Sequence, residues 1–266
     1  MKILVVGAGG FIGSFITNEL VKKHIVIPVY TKDGIDLTNQ EQVTELLTAA
    51  QVDIVINCVT YGGKDKVNEK DSTIVAKNLA MFYNFYSNTD KFKKYFNIGS
   101  GAELDTRNDS AYAISKKAIL HLIRHASFEQ QDKFVTFRLY GCFGKDEIES
   151  RLLKKFLAKT ETFEIKNDRI FDYISIYDFY NIIDYYIDKI EQGLNIFDSQ
   201  DKEINCVYPD KYKISEFISL FCKINNIVPD FKIESEDSRG YTAYKCVNDV
   251  LDIKLYGIAH GMKAYI

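Results

Sequence analysis

An apolar run that breaks into glycines constrains this chain more than any other feature. Ile3-Leu4-Val5-Val6 is continuous and apolar, as in a strand buried on both faces, and Gly7-Ala8-Gly9-Gly10-Phe11-Ile12-Gly13 follows at once. An amphipathic stretch over 11–22 comes next. Gly7 permits a tight turn out of the strand. Gly10 removes a side chain where a pyrophosphate approaches the backbone, and Gly13 lets the helix lie close to the sheet. The N–H groups of Phe11 and Ile12 then open the helix and face an anion, helped by the helix dipole.

The same alternation continues. Strand patterns at 25–30, 54–57, 95–98 and 134–139 are separated by helical patterns at 40–50, 72–87 and 111–129. This order predicts an α/β fold, a Rossmann-type doubly wound parallel sheet with helices on both faces. Ligands of such sheets bind beyond the carboxyl ends of the strands, where Gly7, Thr31, Thr60 and Ser100 should converge. Past residue 140 the regularity loosens into helices at 148–158, 176–191 and 214–224 with strands at 170–174, 203–207 and 231–233. We expect a dinucleotide-binding domain over 1–140. A small mixed C-terminal substrate lobe, interleaved with it, should occupy 141–266.

Composition excludes several partners. The net charge is −3 and no basic block occurs, which argues against nucleic acid and anionic membranes. The five cysteines (58, 142, 206, 222 and 246) are scattered and form no Cys-x-x-Cys, so neither a zinc site nor a disulfide framework is expected. That usage fits a reducing cytoplasm. The apolar run after Lys2 is too short for a signal peptide, and no stretch approaches a membrane span. His121 and His125 stand at i and i+4 without a third ligand, so no metal is expected. Met81-Phe82-Tyr83 with Phe85-Tyr86 is too apolar for a solvated helix face and suits a core or a helix–helix dimer surface.

Tyr112 and Lys116 are also i and i+4, hence neighbours on one helix face. An ammonium held near a phenol favours the phenolate, which lets the pair exchange a proton with a carbonyl or alcohol oxygen near neutral pH. Taken with the glycine turn, the pair predicts a dinucleotide cofactor and a protonating group brought to one place.

Ser100, between Gly99 and Gly101, completes a constellation with the glycine turn, Tyr112 and Lys116. With it the chain resembles the extended short-chain dehydrogenase/reductase family, also called the NAD-dependent epimerase/dehydratase family, whose members mostly modify nucleotide-activated sugars. Asp36-Leu37 resembles the family's adenine-contacting pair. Cys58-Val59-Thr60 stands where small residues run along the cofactor, and Asn78 matches an Asn in the helix before the fourth strand. Arg138-Leu139-Tyr140-Gly141 resembles the stretch after the catalytic helix, and Phe171-Asp172-Tyr173-Ile174 a later segment that precedes a helix. Arg239-Gly240-Tyr241 resembles the substrate loop.

The resemblance implies that Ser100 hydrogen-bonds the reacting oxygen and that Tyr112 is the acid/base. Lys116 would tune Tyr112 and hold the nicotinamide ribose. It also implies cofactor contacts at Gly7, Gly10, Phe11, Ile12, Gly13, Thr31, Lys32, Asp36, Leu37, Cys58, Val59, Thr60, Asn78 and Leu139. Substrate contacts would fall at Tyr61, Ala102 and Arg239. A homodimer through the helix at 72–87 and the Tyr112 helix is implied as well.

Departures choose the reaction. Family dehydratases carry a carboxylate pair directly after the strand-end Ser or Thr, where this chain has Gly101 and Ala102, although Glu103 is close. The pattern is closest to the GDP-fucose synthase-like nucleotide-4-keto-sugar reductases. The epimerising Cys of that group corresponds to Ala102, and no His lies between His125 and His260. At the end of the second strand, Tyr30-Thr31-Lys32 suits a 2′-phosphate, so NADP is preferred over NAD, with Asp33 arguing the other way. The expected activity is reduction of the C4 ketone of a nucleotide-activated 6-deoxy sugar in surface polysaccharide precursor synthesis. The alternatives are an NAD-retaining C4 epimerase and a catalytically silent cofactor-sensing protein.

Overall fold

The computed structural model describes residues 1–62, 72–104, 110–126, 130, 132–194, 202–236, 240 and 242–266, with Thr31 described by its backbone alone. The chain forms two compact units, one of 1–138 with 197–203 and one of 139–196 with 204–266.

The first unit is built on β1 (Lys2–Val6), β2 (Ile25–Val29), β3 (Ile54–Asn57), β4 (Lys94–Ser100) and β5 (Phe134–Leu139). With Glu203–Cys206 as the strand beside β5, the sheet order is Glu203–Cys206, β5, β4, β3, β1, β2. β1 pairs in parallel with β2 and β3, and β3 in parallel with β4. The order reverses at β1, which is flanked by β2 on one side and β3 on the other. A ligand crevice opens at such a point. Ile3, Leu4, Val5 and Val6 are completely buried, as the unbroken apolar run predicts for a strand covered on both faces.

The helices of this unit that the structure describes in full are α1 (Phe11–Leu20), α2 (Gln40–Ala50), α3 (Ser72–Tyr86) and α4 (Ala111–Arg124). Asn39 caps α2 by accepting the Gln42 N–H at 3.1 Å, and Ser110 caps α4 by accepting from Ala113 at 3.4 Å. α4 buries Ile119, Leu120 and Ile123 and packs along α3. Phe82, Phe85, Phe92 and Phe134 surround the ring of Tyr95, with centroids 5.5–6.0 Å away. Tyr95 is buried but not orphaned, since its hydroxyl accepts from Asn57 Nδ2 at 2.7 Å. The aromatic segment of α3 is thus divided, Phe82 and Phe85 lying in the core while Tyr83 stays exposed.

In the second unit the expected strand over 170–174 is two strands. Ile170–Phe171 pairs antiparallel with Tyr212–Lys213, while Tyr173–Ser175 pairs in parallel with Gly141–Phe143. Asp172 breaks the run. Its buried carboxylate takes the Lys211 ammonium at 2.8 Å and the Ala243 N–H, so its own backbone leaves the pleat between two ladders. The helix expected at 148–158 shortens to Leu152–Leu157, because Glu147 is buried and its carboxylate accepts the Tyr265 hydroxyl at 2.7 Å.

Candidate active site

The glycine turn after β1 is held by backbone alone. The N–H groups of Gly7 and Ala8 both donate to Val29 O at 3.1 Å, and Gly10 N–H donates to Gly7 O at 3.1 Å. Gly7 has φ +81°, and a Cβ there would lie 2.9 Å from Val59 Cγ2. At Gly13 a Cβ would fall 2.1 Å from Gly7 O, so helix and turn approach more closely than any side chain permits. Gly10 differs. It is the N-cap of α1, its φ −85° and ψ 167° are extended, and a Cβ would meet nothing nearer than Gly7 O at 3.5 Å. Nothing among the described residues requires glycine there. Phe11 and Ile12 open α1 with N–H groups that no side chain caps.

Beside this turn lies a cavity of about 330 Å³, lined by Gly7, Tyr30, Asp36, Leu37, Val59 and Tyr61 among others. The Asp36 carboxyl is held below its usual range, first by the Thr38 hydroxyl at 2.7 Å and then by the Thr38 N–H at 2.9 Å. At the end of β2, Lys32 is exposed, with Nζ 5.1 Å from the Tyr30 ring centroid. The Asp33 carboxylate turns back to accept the Tyr30 N–H at 2.7 Å, which closes a short 3₁₀ turn over Thr31–Asp33. The acid that argues for NAD is thus engaged with the backbone.

Asn78 is buried on α3. Its Oδ1 accepts from Tyr61 N–H at 2.8 Å, and its Nδ2 donates to Tyr61 O and to Ser115 Oγ, each at 3.0 Å. Its amide therefore clamps the loop that carries Val59, Thr60 and Tyr61. Ser115 in turn donates to Tyr112 O at 2.8 Å, which ties that loop to the start of α4. Cys58 is half-buried, and burial pushes its thiol up to about 12, with Lys116 pulling the other way. It stands as a neutral thiol.

Tyr112 is half-buried and Lys116 buried on α4. Lys116 Nζ lies 5.8 Å from the Tyr112 ring centroid and donates to Ile98 O at 2.7 Å, two residues before Ser100. The turn after β4, residues Gly101–Leu104, packs against α4. Ser100 Oγ accepts the Ala102 N–H at 3.2 Å. The strand end with its serine and the helix with its Tyr/Lys pair are therefore adjacent, as a carbonyl-reducing site needs. Leu139 is the buried last residue of β5, and Arg239 lies outside the described residues.

Several neighbours escape a reading of the sequence. Lys77 lines the cavity with Nζ 4.2 Å from the Tyr61 ring centroid. Glu103, 4% exposed, points away from solvent into a pair with Arg138 at 2.8 Å. Burial pushes the Glu103 carboxyl upward, and the Arg138 guanidinium opposes it. The Ser-x-x-Glu spacing of 100–103, a capping-box signature, was the signal available for Glu103.

Residues 3–198 match the sequence model of the NAD dependent epimerase/dehydratase family. The chain belongs to that family. Among solved structures its fold is similar to a GDP-mannoheptose C4 reductase from Campylobacter jejuni with NADP bound, at 17% identity, covering 99% of this chain and 96% of that one, TM-score 0.79. It is also similar to a GDP-D-glycero-L-gluco-heptose synthase from Campylobacter jejuni in the presence of NADPH, at 16% identity, 99% and 96% coverage, TM-score 0.80. A third is a GDP-L-fucose synthetase from Naegleria fowleri, at 15% identity, 99% and 90% coverage, TM-score 0.74. At these identities the likeness is one of fold. No helix among the described residues is long and apolar enough to cross a membrane, and no group of three or more His, Cys, Asp or Glu among them could hold a metal ion.

Proposed function

We propose that this family member is an oxidoreductase that reduces the C4 ketone of a nucleotide-activated 4-keto-6-deoxy sugar with NADPH, for a surface polysaccharide precursor. The observation that carries this reading is the turn after β4. Ser100 and the Tyr112/Lys116 pair are adjacent, while the carboxylate of the same turn, Glu103, is buried and engaged with Arg138. Among the described residues, that turn has a proton donor for a carbonyl oxygen close by, and its one carboxylate is already paired. The bound nicotinamide supplies the hydride. Ser100 donates a hydrogen bond to the C4 oxygen, Tyr112 gives it a proton, and Lys116 sits behind the phenol with Nζ anchored on Ile98 O. Gly10 and the first N–H groups of α1 receive the pyrophosphate. The cavity at Asp36 and Leu37 receives the adenine, and Lys32 the 2′-phosphate, a choice supported by the engagement of Asp33 with Tyr30 N–H.

The fold neighbours named as a GDP-mannoheptose C4 reductase and a GDP-L-fucose synthetase support a nucleotide-sugar substrate. Tyr61 and Ala102 of the first unit would meet the sugar nucleotide. Exposed Tyr83 on α3 and Leu122 on α4 support pairing of two copies through these helices, and the scattered free cysteines support a cytoplasmic location.

The test is NADPH oxidation with GDP- or dTDP-linked 4-keto-6-deoxy sugars. Tyr112→Phe should keep cofactor affinity and lower turnover by about 10²–10⁴-fold, because proton donation alone is lost. Near-normal turnover in that variant removes Tyr112 from the mechanism. Copurification with tightly held NAD and interconversion of C4 epimers would replace the reductase by the epimerase. Cofactor binding without turnover on any keto-sugar would make the chain a sensing protein.

A further inference from the structure

In the turn after β4 a serine and the glutamate three residues on each take a backbone N–H from the other's end of the turn. Glu103 Oε1 accepts the Ser100 N–H at 2.9 Å while Ser100 Oγ accepts the Ala102 N–H at 3.2 Å. A serine hydroxyl has one hydrogen and two acceptor sites. With one acceptor site filled from inside the turn, its hydrogen is left for a partner outside it.

Glu103 is the inner end of a line of alternating charge. Its Oε2 accepts from Arg138 Nε at 2.8 Å, and Arg138 Nη2 donates to Glu203 Oε2 at 2.9 Å. Glu203 also receives Arg124, Nε at 2.5 Å and Nη2 at 2.7 Å. Side-chain exposure rises from 0% at Glu103 through 5% at Arg138 and 24% at Glu203 to 53% at Arg124. The strand end is shaped around the inner carboxylate. A Cβ on Gly99 would lie 2.5 Å from Glu103 Oε1 and 2.8 Å from Thr136 Cγ2.

We propose that this line of charges positions the Ser100 hydroxyl, with Glu103 as a positioning residue and not a proton carrier. Both carboxylate oxygens are occupied, one by the backbone of the serine and one by a buried guanidinium. A buried carboxylate fixed on two sides has one place to be, and the serine N–H follows it. The chemical consequence rests on the ketoreductase reading, since Ser100 matters to turnover only if it meets the reacting oxygen. The mechanical part does not.

The experiment compares Glu103→Ala, Glu103→Gln and Glu203→Gln with the unaltered chain. The readouts are amide hydrogen exchange over 96–104, NADPH affinity, and kcat and KM on a nucleotide-linked 4-keto sugar. In Glu103→Ala, exchange at Ser100 should accelerate and kcat should fall about 10–100-fold, the scale of an ångström of misplacement, with KM and NADPH affinity within about 2-fold. Glu103→Gln keeps an acceptor for the Ser100 N–H, so slow exchange and kcat within about 5-fold of the parent are expected. Should Glu103→Ala fail to fold, Glu203→Gln further out along the line should give the same kcat-against-KM split at about 2–5-fold.

Equal loss in Gln and Ala, with one limb of the pH profile gone, would make Glu103 a proton carrier and overturn the proposal. Unchanged exchange and unchanged kcat in Glu103→Ala would do so as well. If the unaltered chain reduces no keto-sugar, the ketoreductase reading fails separately. Ser100 exchange that rises in Ala and not in Gln would then still support the positioning role, and unchanged exchange would refute it.

Discussion

β1 and β4 run in the same direction and end on the same side of one sheet, yet the turns that leave them are made in opposite ways. After β1 the chain removes atoms. Gly7 and Gly13 are bare because a Cβ would strike Val59 and Gly7 O, and the loop is held by backbone bonds to Val29 O. After β4 it adds charge, with a carboxylate, two guanidiniums and a second carboxylate packed behind one serine. Under the proposed function, the difference follows from what each turn would have to offer. A pyrophosphate is met by backbone N–H groups, which need only closeness. A carbonyl oxygen is met by one hydroxyl hydrogen, which needs direction. Closeness comes from missing side chains and direction from crowded ones.

The contrast is tested first where the effect is largest. Gly13→Val should cost about 3 kcal/mol or more of stability, because the helix has to leave the turn. Chemical denaturation measures it, and a variant as stable as the parent would mean that α1 does not rest on Gly7. Gly10→Val divides the glycine turn by function. Its Cβ would meet nothing closer than the ordinary contact at 3.5 Å, so stability should hold while cofactor affinity drops about 10–100-fold. Equal losses of stability at Gly10 and Gly13 would make the whole turn structural.

The smallest effect lies at Lys32. It is exposed, so Lys32→Ala should weaken NADPH by up to about 10-fold at low ionic strength and leave NADH nearly unchanged. Titration of both dinucleotides at two salt concentrations checks it. Equal small losses would assign Lys32 to the solvated turn and favour NAD.

How far the sequence could be read divides along the same line as the two turns. The β1 turn was legible because its information is local: an apolar run, glycines at fixed spacing, a helix start. Tyr112 and Lys116 were legible for the same reason, since four residues on a helix is one turn. Glu103 was visible only as a carboxylate near a serine. Its partner Arg138 stands 35 residues further on, Arg138's own second partner Glu203 another 65, and Arg138 sits in a strand whose neighbours are apolar. Pairing over such distances leaves no period in the sequence. Asp172 failed to register for the same reason. A strand pattern over 170–174 gives no sign that Lys211 and Ala243 will take its carboxylate and split the run. Asn78, which the resemblance places along the cofactor, bonds through its side chain to Tyr61 and Ser115, partners 17 and 37 residues away that leave no local sign.

The return of residues 197–203 to the first unit has a consequence for the order in which the protein is made. A ribosome delivers Arg124 and Arg138 long before Glu203, which follows Arg138 by 65 residues. Until then the growing polypeptide has a sheet without its edge strand and a guanidinium short of one partner. The first unit is therefore complete only after residues 139–196 of the second have been synthesised. A fragment cut after residue 140 would carry that unfinished edge permanently, exposed to pairing with another molecule.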